Sequence, residues 1–185
     1  MKLQGIFPPI ATPFDSNGDI YPAKVRHNVE KWNRTALAGY VVMGSTGESV
    51  MLTPDEKYTM WELVAKHAAP EKLLIAGTGM EGVRETVALT NCAAEMGYKA
   101  AMVRTPHYYK NLINRADAQA LYFRAVADQS RIPLVIYNWP QATGVDIPVE
   151  AVVALSEHPN VIAIKESSGN LEKVMQMIRE VKHGF

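Results

Sequence analysis

The stretch LLIAGTGMEGVRETVALTNCAAEMGYKAAMVR, residues 73–104, decides the fold class. Its two ends, residues 73–77 and 100–104, are short apolar runs without alternating polar residues, which is the pattern of strands buried on both faces. Between them runs a stripe at helical spacing that comprises Val83, Val87, Thr90 and Ala94. The stretch therefore predicts one β-α-β unit.

The same unit recurs along the chain at steps of about 30 residues, the usual length of a βα unit. The predicted strands are residues 5–11, 39–43, 73–77, 100–104, 132–137 and 161–165. The predicted apolar faces of two further helices are Met60, Val64 and Ala68, and Leu171, Val174, Met175, Ile178 and Val181. Thr53 with Glu56 predicts a capping box, and Asn170 predicts the N-cap of the last helix.

Strict alternation of strand and helix predicts an α/β protein with a parallel sheet and right-handed crossovers. The sheet is either open and doubly wound or closed as a (β/α)8 barrel, and the period alone does not separate these folds. A barrel needs eight units and about 250 residues. The 185 residues contain six units, so a barrel would be truncated after roughly the sixth.

Charge and composition exclude several classes of partner. Lysine plus arginine (19) equal aspartate plus glutamate (19), so no net field attracts nucleic acid or an anionic membrane. No apolar segment approaches the roughly 18 residues that a membrane span needs. The single Cys92 and scattered histidines predict no disulfide and no metal site, and we expect no cofactor. We predict a cytoplasmic protein that acts on a small molecule or contacts another protein.

Ligands of parallel α/β folds bind at the carboxyl ends of the strands, so these residues are the candidates for a site. The turn GSTGE, residues 44–48, offers glycine amides and the hydroxyls of Ser45 and Thr46 to a small carboxylate or phosphate. A plain strand-to-helix turn, whose hydroxyls bond to local backbone, is the alternative for this motif.

A second candidate is the run GTGMEG, residues 77–82, which matches the G-x-G-x-x-G fingerprint of dinucleotide-binding proteins. It follows the third predicted strand rather than the first, and the next strand ends in Arg104 rather than in an acid. An arginine could accept a 2′-phosphate, so an NADP-binding protein is kept as an alternative to a simple glycine-rich turn.

Lys165 ends the last predicted strand, and Tyr137 ends the strand before it. A strand-end lysine commonly extends its charge into water, and a strand-end tyrosine commonly packs. At a barrel mouth, however, partial desolvation favours the neutral amine, which attacks a ketone to form a Schiff base. Tyr137 could transfer protons, and the Ser45-Thr46 turn could bind the substrate carboxylate, so together they predict imine chemistry.

Five segments carry a family resemblance: GIFPPIATPF at 5–14, GSTGE at 44–48, TPHYYK at 105–110, YNWPQATG at 137–144 and IAIKESSGN at 162–170. By their order and spacing the chain resembles the dihydrodipicolinate synthase and N-acetylneuraminate lyase family of class I pyruvate aldolases. The resemblance implies a (β/α)8 barrel and resolves the choice that the period leaves open. It covers the whole chain but only about the first six units of the family fold.

The resemblance also implies roles for individual residues. Lys165 matches the Schiff-base lysine and Tyr137 the proton donor and acceptor. In the turn, Ser45 matches a relay hydroxyl, Thr46 binds the pyruvate carboxylate, and Gly44 contributes to the substrate site. Tyr108 matches a tyrosine that completes the relay and in many members comes from a neighbouring subunit. A homo-oligomer, commonly a dimer of dimers, is therefore expected.

One position departs from the lysine-biosynthetic members of the family. Ala142 stands where those synthases carry an arginine that binds the second substrate's carboxylate. The pattern resembles 4-hydroxy-2-oxoglutarate aldolases more, so the first expectation is a lyase or aldolase for a 4-hydroxy-2-oxoacid. The alternative is 4-hydroxy-tetrahydrodipicolinate synthase, which joins pyruvate to aspartate semialdehyde.

Residues 1–185 are expected to form a single partial barrel domain that lacks strands seven and eight and the helical C-terminal region of the family. Such a barrel would expose two parallel sheet edges. The sequence therefore predicts a truncated or incomplete form of a longer chain. It also leaves open a different class of function, a non-catalytic barrel fragment that binds an oxoacid or pairs with another subunit.

Overall fold

A computed structural model describes residues 2–185, which alternate strands with helices as predicted. The strands are β1 (Gly39–Val42), β2 (Leu73–Gly77), β3 (Ala100–Arg104), β4 (Leu134–Asn138) and β5 (Val161–Glu166). The helices are α1 (Pro22–Asn33), α2 (Pro54–His67), α3 (Val83–Glu95), α4 (Lys110–Ile113), α5 (Ala116–Gln129), α6 (Pro140–Thr143), α7 (Val149–Ser156) and α8 (Leu171–Glu180). One 3₁₀ helix covers Ser45–Gly47.

The strands follow one another in the sheet in the order β1-β2-β3-β4-β5, which is the order of a chain built from successive βα units. β1 pairs with β2 in parallel, and so does β4 with β5. The β4–β5 register shifts between Leu134 and Val135, so Leu134 faces Val161 while Val135 faces Ala163. Ile162 is the extra residue, and beyond this bulge Tyr137 faces Lys165.

The first predicted strand, residues 5–11, is not a regular strand. The segment is hydrogen-bonded alongside β1, with Val41 N donating to Pro8 O and Ile10 N donating to Val41 O, each at 3.0 Å. Only one isolated bridge forms, between Pro9 and Val41. Pro8 and Pro9 have no N–H to donate, which interrupts a ladder that the apolar pattern alone would predict.

The chain divides into two compact units. The N-terminal unit comprises Leu3–Gly77 and Cys92–Ala101, and the C-terminal unit comprises Thr78–Asn91 and Met102–Phe185 with residue 2. The prediction of one partial barrel domain stays a prediction.

The core of the N-terminal unit is built around large aromatic side chains. Tyr40, Trp61 and Tyr98 are almost completely buried, and the Tyr98 hydroxyl donates to Trp61 O at 3.1 Å. Burial raises the pKa of Tyr98 well above its ordinary value, because the phenolate would lose its hydration. The predicted capping box is confirmed at the start of α2, where Thr53 and Glu56 each accept from the other's backbone N–H.

Two predicted helix faces differ from the buried faces. On α3 the predicted Thr90 is buried, but the other buried positions are Thr86, Leu89 and Ala93, whereas the predicted Val83 and Val87 are only half-buried. Thr86 tolerates burial because its hydroxyl donates to Gly82 O at 2.9 Å and contacts the Tyr122 hydroxyl at 2.8 Å.

The second correction concerns α8. The predicted apolar face is largely exposed, with Leu171 70% and Ile178 72% exposed, while Lys173 and Met177 are buried. Lys173 turns inward because two carboxylates, Asp146 and Glu166, pair with its ammonium. The predicted N-cap is confirmed, because Asn170 Oδ1 accepts from Lys173 N at 3.1 Å.

Across residues 2–185, every helix is too short or too polar to cross a membrane.

Candidate active site

Lys165 and Tyr137 lie side by side in the C-terminal unit. They are register partners at the carboxyl ends of β5 and β4, and adjacent parallel strands bring such partners to the same face. Nζ of Lys165 lies over the Tyr137 ring, 4.0 Å from its centroid. An ammonium over an aromatic face is stabilised by about 0.5–2 kcal/mol, depending on desolvation. The structure thus brings together the amine and the phenol that the sequence singled out, while their catalytic roles stay predictions.

Trp139 completes the aromatic side of this pair and was missed by sequence reasoning. Its ring stacks on Tyr137 with centroids 6.2 Å apart and planes inclined by 20°. The loop after it forms the single turn α6, which ends at Gly144 in the left-handed conformation. Gln141 Nε2 donates to Ser168 O at 2.7 Å and so links this loop to the turn that follows Lys165. The sequence signal for this contact was a tryptophan two positions after Tyr137, in the segment YNWPQATG.

A buried polar cluster accompanies the pair and was also missed. Asn138 follows Tyr137, Glu166 follows Lys165, and the two side chains are joined by hydrogen bonds of 2.8 and 2.9 Å. Lys173 and Asp146 complete the cluster. A polar residue at the end of each of two apolar strands was the signal, because buried amides and carboxylates require partners.

The GSTGE turn lies in the N-terminal unit, where it leaves β1 through a strained backbone. Met43 has φ 62° and Glu48 has φ 58°, a left-handed conformation that non-glycine residues rarely adopt and that concentrates at functional turns. The Thr12 hydroxyl donates to Gly47 O at 2.7 Å and so holds the backbone of the turn in place. Ser45 and Thr46 are exposed on it. Their predicted roles, and that of Gly44, stay predictions.

Two of the three glycines of the GTGMEG run have a packing explanation. A Cβ on Gly77 would lie 2.1 Å from Met43 O, and a Cβ on Gly79 would lie 2.5 Å from Arg104 N. Both glycines are therefore required where neighbouring backbone passes closely. Arg104 is directed to Glu81, with Nη1 3.1 Å from Oε1. A Cβ on Gly82 would meet no atom within 4 Å, so packing explains the first two glycines of the motif and not the third.

Glu81 anchors the loop that carries Tyr108, and sequence reasoning missed it. Its Oε2 accepts from His107 N at 2.9 Å and from Tyr108 N at 3.0 Å, while Arg104 donates to Oε1. Burial opposes ionisation, but these hydrogen bonds outweigh it and hold the pKa of Glu81 below its ordinary value. Tyr108 itself is 76% exposed and packs edge-on against Tyr109. Its predicted role across a subunit interface stays a prediction.

A cavity of about 480 Å³ lies beside this loop, lined by Tyr108, Tyr109 and Tyr122 among others. Its walls are mostly apolar, and the Tyr122 hydroxyl is directed to Met80 O at 2.8 Å. Desolvation by burial raises the pKa of Tyr122 to about 12. Neither Lys165 nor Tyr137 lines this cavity, so it is distinct from the lysine–tyrosine pair.

Glu81→Gln should loosen the Tyr108 loop, because the amide group cannot accept both backbone hydrogen bonds and the Arg104 contact at once. The amides of His107 and Tyr108 should exchange several-fold faster. In the unaltered protein the same loosening should develop with acid. A carboxylate whose pKa is depressed on folding stabilises above the unfolded value of 4.5, and this contribution is lost as the pH falls through the lower folded value.

Hydrogen exchange measured by mass spectrometry on the peptide that contains residues 104–109 tests this prediction. The exposed Glu85 on α3 provides the matched control, and Glu85→Gln should leave the exchange of this peptide unchanged. Equal protection in Glu81→Gln and the unaltered protein at neutral pH would contradict the anchoring role.

Two curated relatives and one solved structure, all named as dihydrodipicolinate synthases or 4-hydroxy-tetrahydrodipicolinate synthases, are similar to this chain. A protein of Methanothrix thermoacetophila named 4-hydroxy-tetrahydrodipicolinate synthase is 40% identical over 178 residues, covering 95% of this chain and 58% of the relative. A protein of the same name from an Exiguobacterium species is 37% identical over 181 residues, covering 98% and 61%. The crystal structure of a dihydrodipicolinate synthase from Bacillus anthracis matches with a TM-score of 0.92 at 33% identity, covering 100% of this chain and 63% of that one.

The chain thus spans between 58% and 63% of the length of these relatives. The structural match confirms the predicted fold class, a (β/α)8 barrel truncated in this chain. The profile of the dihydrodipicolinate synthetase family matches residues 2–185. On sequence, fold and the described strand-end lysine together, the chain belongs to the dihydrodipicolinate synthetase family.

Proposed function

We propose that this chain provides a class I aldolase or lyase site in which Lys165 forms an imine with pyruvate or a related 2-oxoacid. One observation supports the proposal most directly: Lys165 Nζ lies 4.0 Å from the centroid of the Tyr137 ring, with the two residues paired in register. An amine and a phenol at one strand-end face are the groups that imine formation requires.

The chemistry follows from these two groups. The neutral amine of Lys165 adds to the ketone carbon of the oxoacid, and the resulting carbinolamine loses water when its hydroxyl is protonated. Tyr137 supplies that proton and takes one back later. The protonated imine withdraws electrons from the adjacent carbon, so a proton can leave there to give an enamine. The enamine carbon then attacks an aldehyde, or the reverse sequence cleaves the bond.

The remaining roles are proposed from the family resemblance. Ser45 acts as a relay hydroxyl, Thr46 and Gly44 bind the carboxylate of the oxoacid, and Tyr108 completes the relay. The strained, hydroxyl-bearing GSTGE turn supports a binding role, because left-handed non-glycine residues are retained where the local geometry matters. A homo-oligomer, a dimer of dimers, in the cytoplasm is proposed on the same resemblance.

For the second substrate, we propose aspartate semialdehyde, so that the reaction is that of a 4-hydroxy-tetrahydrodipicolinate synthase. The names of the relatives from Methanothrix and Exiguobacterium support this alternative. The first expectation, a 4-hydroxy-2-oxoacid, has no specific support from these relatives. Ala142 remains the residue that argues for it, because a methyl group cannot bind a carboxylate.

A cation nevertheless lies against the loop that contains Ala142. The Lys110 side chain covers Gly144, since a Cβ built on that glycine would meet Lys110 Nζ at 2.6 Å and Cε at 3.1 Å. We propose that this ammonium attracts the carboxylate of the second substrate.

Lys110→Met keeps the aliphatic stem and removes the charge, and it should raise the KM for aspartate semialdehyde several-fold because a charge-assisted contact is lost. The rate of imine trapping with pyruvate alone should not change. Steady-state kinetics in both substrates measures the two effects. Lys182→Met, at an exposed lysine near the C-terminus, provides the control. An unchanged KM for the aldehyde in Lys110→Met would contradict the role.

Borohydride reduction in the presence of pyruvate tests the proposed function. The peptide that carries Lys165 should gain the mass of one reduced pyruvate adduct, and no other lysine peptide should gain it. Absence of this adduct in folded protein would refute the proposal. Turnover is then assayed with pyruvate plus aspartate semialdehyde, and as pyruvate release from 4-hydroxy-2-oxoacids, to separate the two second substrates. Trapping without either turnover would favour the non-catalytic oxoacid-binding fragment.

A further inference from the structure

The cluster formed by Asn138, Asp146, Glu166 and Lys173, called here the strand-end cluster, has no part in the chemistry proposed above. Three of its members are nearly inaccessible to solvent: Asn138 is 0% exposed, Lys173 8%, and the Glu166 side chain 8%. Burying one ammonium and a carboxylate is unfavourable unless each is paired and hydrogen-bonded. Because the cluster is costly to bury and lies next to Lys165 in the sequence, we ask what it contributes to the position of that lysine.

The contacts of the strand-end cluster converge on Asn138. Its Nδ2 donates to both carboxylate oxygens of Glu166, at 2.9 and 2.8 Å, and to Asp146 Oδ1 at 2.8 Å. Its Oδ1 accepts from Ile147 N at 3.0 Å. The Lys173 ammonium pairs with Asp146 and lies 3.3 Å from Glu166 Oε2. Each polar group of the side chain of Asn138 thus has a partner.

The cluster also bridges the two strands that carry the lysine and the tyrosine. Asn138 and Glu166 are register partners, one step beyond the pair Tyr137 and Lys165. Successive side chains of a strand point to opposite faces, so the cluster lies on the other face of the sheet from the lysine–tyrosine pair. Ser167 N donates to Asn138 O at 2.9 Å and continues the link beyond the strand ends.

The bulge in β5 makes this link important. Because Ile162 is an extra residue, the pairing of Leu134 with Val161 does not by itself determine which residue faces Tyr137. A shift of one residue would turn every side chain beyond the bulge to the opposite face. Asn138 and Glu166 face each other in the observed register, and their side-chain hydrogen bonds form in that register. These hydrogen bonds therefore stabilise the pairing that places Lys165 opposite Tyr137.

We propose that Asn138 and Glu166 are positioning residues, which keep Lys165 over Tyr137 by locking the register of β4 and β5 from the opposite face. The ammonium of Lys173, which also pairs with Asp146, balances the charge of the buried Glu166 carboxylate. The inference rests on the proposed imine chemistry for its kinetic consequence, but the positional effect on the Lys165 amine does not depend on pyruvate.

Two single substitutions and their combination test the proposal. Asn138→Asp replaces the donating amide by a carboxylate facing Glu166, and Glu166→Gln removes the accepting charge. Each should slow borohydride trapping of pyruvate at Lys165 by about 10- to 100-fold, because a misplacement of about 1 Å has effects of this size on a reaction rate. The double variant exchanges amide and carboxylate between the strands at constant net charge, so it should recover much of the lost rate.

A second readout is independent of the proposed function. Competitive labelling with acetic anhydride reports the reactivity of the Lys165 amine relative to that of Lys182 in the same molecule. Both single variants should change this ratio several-fold, and the double variant should restore it. Leu155→Ala, in the buried face of α7, serves as a destabilised control that should leave the ratio unchanged.

The outcomes separate the two proposals. Failure of the unaltered protein to trap pyruvate refutes the function, while the labelling ratio still decides the positioning role. A labelling ratio that is the same in the unaltered protein and in both single variants overturns the positioning role. So does a double variant that is no closer to the unaltered protein than the worse single variant.

Discussion

Lys165→Ala should eliminate trapping of pyruvate and lower turnover by a factor on the order of 10⁴ or more, because the covalent intermediate cannot form without the amine. Lys165→Arg should be equally inactive, since a guanidinium stays protonated and is not a nucleophile. Because arginine keeps a cation over the Tyr137 ring, the unfolding temperature of the Lys165→Arg variant should stay close to that of the unaltered protein. Peptide mass spectrometry after reduction, together with a thermal melt, measures both effects.

Lys182→Ala provides the control for this pair of variants, because Lys182 is an exposed lysine of the same unit that pairs with Glu157. It should trap pyruvate at the normal rate. Residual trapping in Lys165→Arg, mapped to a different lysine, would show that the reactive amine has been assigned to the wrong residue.

Tyr137→Phe should lower kcat by about 100- to 1,000-fold, the range of a lost general acid–base group, and should leave pyruvate binding largely intact. The substitution keeps the ring beneath Lys165 and the stacking on Trp139, so it removes the proton-transferring oxygen without emptying the site. The imine should still form, but slowly. Single-turnover trapping against time separates slow imine formation from weak binding.

Trp139→Leu is the matched comparison for Tyr137→Phe. It removes the stacking partner and keeps the phenol, so it should affect kcat less than Tyr137→Phe does. A Tyr137→Phe variant that turns over at the normal rate would remove Tyr137 from the mechanism, whatever its position next to Lys165.

The strands were predictable where a short apolar run met no conflicting backbone requirement. β2 and β3 have the predicted bounds, residues 73–77 and 100–104. The run at 5–11 has the same apolar character, but Pro8 and Pro9 cannot donate to a ladder. Hydrophobic pattern therefore located the sheet, while the hydrogen-bonding capacity of individual residues decided which runs became regular strands.

The helix faces were less predictable, because periodicity does not report charge pairing in the tertiary structure. On α8 the pattern predicted Leu171 and Ile178 as the inward face, yet Lys173 is buried there. Its partners Asp146 and Glu166 lie 27 and 7 positions away in the chain, and only folding brings them together. A lysine in an amphipathic pattern is ordinarily assigned to solvent.

The position of Lys165 beside Tyr137 was predictable from the sequence, whereas the contacts that surround the pair were not. Lys165 and Tyr137 stand out because each ends an apolar strand with a chemically useful group. Asn138 and Glu166, one position further on, resemble ordinary polar residues at the start of a loop. Glu81 likewise lies in a glycine-rich run that draws attention for another reason. The supporting contacts form between segments that are distant in the chain, so no local sequence motif predicts which residues make them.

The bulge at Ile162 also bears on how this segment can change over evolution. Substitutions within β5 alter one side chain at a time, and most leave the direction of Lys165 unchanged. A one-residue insertion between the bulge and Lys165 would move the lysine out of register with Tyr137 and turn it to the opposite face of the sheet, with every original amino acid intact. Selection on this strand should therefore act against such insertions more strongly than against conservative replacements.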